Sequence, residues 1–285
     1  MIKDVLIVGL GGVGAVYASQ IPDNRVNVLT DKKRLEYYTK NPTFINGKKF
    51  EFNYITPDKA FPVDLIIIAV KYYNLPEILE PLKSFIKPDT KIISLINGIS
   101  SEYIIKQRYP EADVIPSYLI CNSIIRTGRS ITHDGVNKIV MDKNKSVTEF
   151  FDKYGINYKV SEDIKSAIWQ KFMLNIIANQ LSAVTHKTFG EMNELPFIES
   201  LLYKILDEVI LIAKSEGINN PELLAENAVK TFRGMAPYGK TSMLQDIENN
   251  RPTEIDAFAG YITELGEKYN IKTPYNTLFK YLIMI

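Results

Sequence analysis

The stretch Ile2-Lys3-Asp4-Val5-Leu6-Ile7-Val8-Gly9-Leu10-Gly11-Gly12-Val13-Gly14 runs an apolar segment straight into glycines spaced G-x-G-x-x-G, and that order of events decides the fold. Val5 to Val8 read as a strand buried on both faces, and Val13 to Ile21 as the helix after the turn. In such a turn Gly9 permits the sharp reversal, Gly11 lets backbone amides approach a pyrophosphate with no Cβ in the way, and Gly14 lets the helix pack closely. The start of the helix then offers unpaired amides and the positive end of its dipole to an anion. Gly9, Leu10, Gly11, Gly12, Val13 and Gly14 are therefore the expected dinucleotide cradle.

Working outward, a second strand is expected at Val26 to Leu29, and Asp31 follows it, 17 positions beyond Gly14 (31 minus 14), where a ribose contact is expected. A carboxylate there accepts hydrogen bonds from an adenosine 2′-hydroxyl and favours NADH. Lys32, Lys33 and Arg34 next to it could instead hold the 2′-phosphate of NADPH through charge-assisted bonds, or form only the solvated first turn of a helix.

The 285 residues suffice for two medium domains, each with its own core. With 34 basic and 33 acidic side chains the net charge is +1, and no long run of one sign points to nucleic acid or a membrane surface. No apolar run reaches the roughly 20 residues that span a bilayer, and the start does not read as a secretory signal, so a cytoplasmic location is expected. The single cysteine, Cys121, excludes an intrachain disulfide and reads as a small buried side chain. His133 and His186 lack companion ligand spacing, so no metal site is expected.

Asp64 to Val70 and Lys91 to Leu95 read as further buried strands, each followed by a helical or turn segment, the alternation of a parallel sheet wound with helices. Asn46-Gly47 between Thr43 to Ile45 and Lys48 to Phe52 signals a hairpin. Val114 to Ile125 and Ile131 to Met141 are expected to add strands at the sheet edge. From about Glu162 the period becomes helical, over Ile164 to Val184, Leu195 to Glu216, Pro221 to Phe232, Ile255 to Tyr269 and Tyr275 to Met284. The expected fold is α/β, a Rossmann-type parallel-sheet domain over 1–162 followed by an all-helical domain over 163–285, with the substrate received in a cleft between them. The apolar stripe over Leu195 to Ile212 serves either the domain core or a second copy of the chain, so monomer and homodimer are both expected states.

Three constellations carry chemistry. Lys171, Asn175 and Asn179 recur every fourth residue on a helix otherwise rich in apolar side chains, which lines them on one face. A ligand satisfies such a polar stripe; water does so equally if the helix lies at the surface. Asn97-Gly98 follows the strand ending near Leu95, at the carboxyl end where open α/β sheets bind ligands, and Asn97 can face cofactor or substrate there, although Asn-Gly is also a common dipeptide of ordinary turns. Lys71 stands in the same place after Leu65 to Val70, as a phosphate or substrate contact or a solvated loop lysine. Ser242-Met-Leu-Gln-Asp246 with Arg251-Pro-Thr-Glu254-Ile-Asp256 reads alone either as site groups or as helix acids, with Glu254 at a helix start and Asp246 exposed.

Taken together, these residues resemble the ketopantoate reductase family over nearly the whole chain. The motifs are Gly9, Gly11 and Gly14, then Val70-Lys71, Asn97-Gly98, Trp169-x-Lys171-x-x-x-Asn175-x-x-x-Asn179, and Ser242-Met-Leu-Gln-Asp followed by Glu254-Ile-Asp. The resemblance implies a Rossmann domain with a helical partner, NADPH as hydride donor, and reduction of a small 2-keto acid, ketopantoate, to pantoate. It implies that Lys171 is the general acid, that Glu254 orients the substrate hydroxyl and supports the lysine, and that Asn97, Asn175, Asn179 and Ser242 hold the substrate. Lys71 and the glycine loop are implied cofactor contacts. One departure is Asp31, where family members that favour NADPH commonly carry an arginine. Related NAD-dependent D-2-hydroxyacid dehydrogenases, acting on bulkier 2-keto acids, are the alternative that this departure raises.

Overall fold

The computed structural model describes every residue from Met1 to Ile285 except Asn122. The chain divides into two units. Met1–Ile96 and Ser101–Ile164 form one, while Asn97–Ser100 and Lys165–Ile285 form the other.

The first unit grows from β1 (Val5–Val8), in which all four side chains are buried. Alternate residues of an extended strand point to opposite faces, and here Val5 and Ile7 enter one apolar cluster while Leu6 and Val8 enter another. A strand covered on both sides belongs in the middle of a parallel sheet. The chain continues as α1 (Gly12–Gln20), β2 (Val26–Leu29), α2 (Lys32–Lys40), β3 (Thr43–Ile45), β4 (Lys48–Phe50), β5 (Asn53–Ile55), β6 (Leu65–Ile68), α3 (Leu75–Leu82), β7 (Lys91–Ser94), α4 (Ser101–Arg108) and β8 (Asp113–Ile115). The sheet order is β5-β2-β1-β6-β7-β8, parallel throughout. Winding reverses between β1 and β6, and at that switch point the carboxyl ends of the strands open onto the glycine turn.

Beyond β8 the sequence reading needs correction. The segments Val114 to Ile125 and Ile131 to Met141 do not extend the sheet edge past Ile115. Pro116 has no amide to donate to the ladder, and the chain changes sheets there. β9 (Ser117–Cys121) pairs with β12 (Asn137–Met141) and β12 with β13 (Tyr158–Val160), the last preceded by α5 (Lys145–Tyr154). β10 (Ile124–Thr127) and β11 (Ser130–His133) join β3 and β4 in a four-stranded sheet. The β3–β4 hairpin turns on Asn46 and Gly47, with φ of 47° and 79°, the left-handed pair that a two-residue turn requires. Cys121 is exposed rather than buried, because it lies at the unprotected end of β9 opposite Asn137.

The second unit is helical: α6 (Ile164–Thr185), α7 (Phe189–Asn193), α8 (Ile198–Ser215), α9 (Pro221–Arg233), α10 (Ser242–Glu248), α11 (Ala259–Tyr269) and α12 (Pro274–Met284). Phe172, Met173, Ile176 and Ile177 of α6 pack into one core with Leu202, Ile205, Leu206 and Val209 of α8. The expected helix over Ile255 to Tyr269 is broken, since Phe258 has φ −113° and ψ −95° between a short 3₁₀ turn and α11. The buried Glu208 of α8 accepts hydrogen bonds from the Tyr275 and Asn276 amides at 2.7 and 3.0 Å and from Asn276 Nδ2 at 2.7 Å. It thereby satisfies amides that α12 would otherwise leave unpaired. Among the described residues, no helix is long and apolar enough to cross a membrane.

Candidate active site

In the first unit the glycine turn is shaped by contacts a side chain would destroy. Gly9 has φ +98°, and a Cβ there would lie 2.7 Å from the Ala69 carbonyl oxygen; one on Gly14 would lie 1.9 Å from the Gly9 oxygen. A Cβ on Gly12 would strike Ile124 Cγ2 at 2.6 Å. Gly11 differs, because its Cβ would meet nothing nearer than the Ala69 oxygen at 4.0 Å. Open space beside Gly11 is what a close-lying phosphate needs. Gly11 is also the N-cap of α1, and among the described residues no side chain caps that helix. Its first amides, from Gly12, Val13 and Gly14, are left for an anion. Leu10 is buried, with its carbonyl accepting a hydrogen bond from Arg126 Nη1 at 3.2 Å. These features fit a dinucleotide pyrophosphate.

Around the cradle, Lys71 is half-buried and caps the 3₁₀ turn after β6. Asp31 is the N-cap of α2, accepting from the Arg34 amide at 2.7 Å and lying 3.5 Å from Arg34 Nε. Lys32, Lys33 and Arg34 form the exposed first turn of α2.

In the second unit, four-residue spacing places Lys171, Asn175 and Asn179 on one face of α6 while the rest of the helix feeds the core. Lys171 is half-buried, and its Nζ donates to Asn97 Oδ1 at 3.4 Å. Asn97 Nδ2 in turn donates to Glu254 Oε2 at 3.4 Å. Glu254 is 6% exposed, immediately before the 3₁₀ turn Ile255–Ala257. Gly98, with φ +100°, brings that turn close, since a Cβ on it would lie 2.9 Å from the Ala257 oxygen. A cation, an amide and a carboxylate thus stand in a row built from three separate segments.

Asn179 is buried and largely committed. Its Oδ1 accepts from Ser242 Oγ at 3.4 Å and the Met243 amide at 3.3 Å, while Nδ2 donates to the Asn175 carbonyl at 3.1 Å. It ties the start of α10 to α6 and so places Ser242. The Asn175 side chain makes no hydrogen bond among the described residues and stays half-buried, with donors and an acceptor to offer. Asp246 is not the exposed helix acid that its sequence neighbours suggest. It is buried and ion-paired with Arg251 Nε at 2.8 Å, which fixes the segment leading to Glu254.

Two supports escaped the sequence reading. Thr241 caps α10, accepting from the Leu244 amide at 3.1 Å, and its hydroxyl meets that of Ser182 on α6. A threonine directly before a helical run signals a cap, but nothing local to Ser182 announces its partner 59 positions away. Arg126, from β10, reaches the glycine turn with no motif to mark it.

Residues 5–146 match the family profile described as ketopantoate reductase PanE/ApbA, and residues 163–284 the one described as ketopantoate reductase PanE/ApbA C terminal. A 2-dehydropantoate 2-reductase of Streptococcus pyogenes serotype M6 is 27% identical over 295 residues, covering 98% of this chain and 96% of its own. Among solved structures, D-mandelate dehydrogenase with NADH and anilino(oxo)acetate matches with a TM-score of 0.85 at 23% identity, over 99% of this chain and 97% of its own. A dimeric ketopantoate reductase from Staphylococcus aureus matches with a TM-score of 0.80 at 23% identity and the same coverage.

Proposed function

The chain belongs to the ketopantoate reductase family of oxidoreductases, and from that premise we propose that it reduces 2-dehydropantoate to pantoate, with NADPH as the hydride donor, for pantothenate and coenzyme A formation in the cytoplasm. The observation that carries this reading is the row Lys171, Asn97, Glu254, a proton donor held by an amide that a carboxylate orients. We assign residues 1–162 to the dinucleotide and residues 163–285, with Asn97, to the keto acid.

The nicotinamide, when bound, supplies the hydride that reaches the ketone carbon. Lys171 donates from Nζ to the ketone oxygen and stabilises its growing negative charge, then transfers a proton to it; one hydride and one proton complete the alcohol. Its 3.4 Å contact with Asn97 is long enough to be exchanged for a substrate oxygen. Glu254 accepts from the substrate hydroxyl, and Asn97, Asn175 and Ser242 hold the remaining oxygens, with Asn179 acting through Ser242. The amides of the turn from Gly9 to Gly14 hold the pyrophosphate, with Lys71 beside them and Asp31 and Lys32 at the ribose.

A second reading keeps the chemistry and changes the acid. The TM-score of 0.85 to a D-mandelate dehydrogenase, together with Asp31 at the ribose position, favours an NADH-dependent reduction of a bulkier 2-keto acid. Turnover of ketopantoate and of a phenyl-substituted 2-keto acid, each with NADPH and with NADH, separates the two. The first predicts the highest kcat/KM for ketopantoate with NADPH, and negligible ketopantoate turnover overturns it.

A further inference from the structure

Arg126 is an arginine with an unusual set of partners. It lies on β10, whose Ile124 packs against Gly12 of the glycine turn. Its Nη1 donates to the Leu10 carbonyl at 3.2 Å and its Nε to the Gly128 carbonyl at 2.9 Å. Among the described residues no carboxylate pairs with it. The side chain keeps access to solvent, yet desolvation of the guanidinium by its surroundings holds it below the usual arginine value, and neighbouring Arg129 adds to that fall. A guanidinium partly stripped of water beside a like charge, with only carbonyls as partners, is electrostatically incomplete; an anion completes it.

Position selects the anion. Besides Leu10, the groups within electrostatic reach of Arg126 are Tyr37 and Tyr38 of α2 and Arg129. Tyr37 and Tyr38 lie in the second half of α2, the helix that follows β2; the connection from β2 into that helix marks the ribose side of a dinucleotide turn, whereas the pyrophosphate belongs to the amides opening α1. The other arginines nearby are committed. Arg129 donates to the Asn41 carbonyl, Thr43 Oγ1 and the Tyr54 hydroxyl and stacks on Tyr38 at 4.2 Å, while Arg34 is paired with Asp31.

We propose that Arg126 is the specificity-determining residue for the dinucleotide, its guanidinium taking the 2′-phosphate of the adenosine ribose and so selecting NADPH although an aspartate, Asp31, follows the second strand. The proposal rests on the reading of the glycine turn as a dinucleotide site. Arginine suits the task because its planar fork meets two phosphate oxygens at once, which a lysine cannot do.

The test is calorimetric binding of NADP⁺ and of NAD⁺, dinucleotides that share every group except the 2′-phosphate, in the absence of any keto acid or alcohol, so no turnover is needed. In the unaltered protein NADP⁺ binds more tightly. Arg126→Met weakens NADP⁺ about 30-fold and leaves NAD⁺ within about threefold, the loss of one charge-assisted bidentate contact. Arg126→Lys falls between, about 3- to 10-fold weaker for NADP⁺. Retained NAD⁺ binding certifies that each variant is folded. Equal losses for both dinucleotides place Arg126 on the pyrophosphate and overturn the proposal, as do unchanged affinities for both or a preference of the unaltered protein for NAD⁺. If the unaltered protein binds neither dinucleotide, the dinucleotide reading falls with it, a result distinct from the other three.

Discussion

Lys171 and Asn97 meet with a fixed polarity. An ammonium only donates, so the oxygen of the Asn97 amide faces Lys171 at 3.4 Å, and the amide nitrogen is thereby turned toward Glu254, which as a carboxylate only accepts. One amide thus serves a cation and an anion at once, and its orientation follows from their charges.

If Lys171 is the proton donor, Lys171→Ala lowers kcat by roughly 10²- to 10⁴-fold, the usual contribution of a positioned general acid. Dinucleotide affinity, measured by fluorescence titration, stays within about threefold, because the cradle lies in other residues. A variant that keeps wild-type turnover removes Lys171 from the chemistry and leaves the family reading without its acid.

The polarity of Asn97 gives a sharper test. In Asn97→Asp an acceptor replaces the donor facing Glu254, and two carboxyl groups compete to stay ionised. At pH 8 this variant loses more activity than Asn97→Ala. Its activity relative to wild type rises as the pH falls and one of the pair takes up a proton. Parallel pH profiles for the two substitutions would show that Asn97 does not link the charged groups.

The four glycines of the turn separate into two kinds. Gly14→Ala forces a methyl group to 1.9 Å from the Gly9 oxygen and destabilises the fold, as seen in its urea midpoint. Gly11→Ala meets nothing inside 4.0 Å, so it keeps near-native stability and loses dinucleotide affinity, because the methyl group occupies the space a pyrophosphate needs. Undiminished affinity in Gly11→Ala would mean that the phosphates run elsewhere.

Asp64 makes stability depend on acid. Burial raises its pKa, but hydrogen bonds from Lys87 Nζ at 2.6 Å and from the Lys3 and Asp4 amides at 2.7 and 3.2 Å outweigh it and hold the carboxyl below the ordinary aspartate value. A carboxyl depressed in the folded state stabilises at pH above its unfolded value, near 4, and the contribution is lost as pH falls through the folded value. Asp64→Asn therefore costs about 1 kcal/mol at pH 7, typical for a partly exposed charge-assisted network. In urea titrations the gap to wild type closes below about pH 4. A gap that persists at pH 2 would assign the loss to packing.

The legible parts of this molecule were those in which a local pattern has one physical meaning. Val5 to Val8 running into Gly9 could only be a buried strand entering a tight turn, and four-residue spacing put Lys171, Asn175 and Asn179 on one helix face before any coordinates. Asn46-Gly47 named its own hairpin. What stayed hidden depends on distant partners. Ile131 reads as a strand residue, but its pairing with Ile45 instead of the main sheet follows from where Pro116 diverts the chain. Asp246 looks exposed by composition and is buried because Arg251 folds back onto it. Arg126 carries no sequence signal, since its importance comes from a carbonyl 116 residues earlier.

The exposed sulfur at the end of β9 has a practical consequence. Cys121 is the chain's single cysteine, so a maleimide dye attaches at one position with a stoichiometry of one and no mutagenesis. The attachment point is close to α1, because the Tyr17 hydroxyl of that helix is raised above its ordinary value first by burial and then by the charge of Cys121. A fluorophore there would sit beside the helix whose amino end we assign to the dinucleotide, and would convert cofactor docking into a change of brightness without any chemistry taking place.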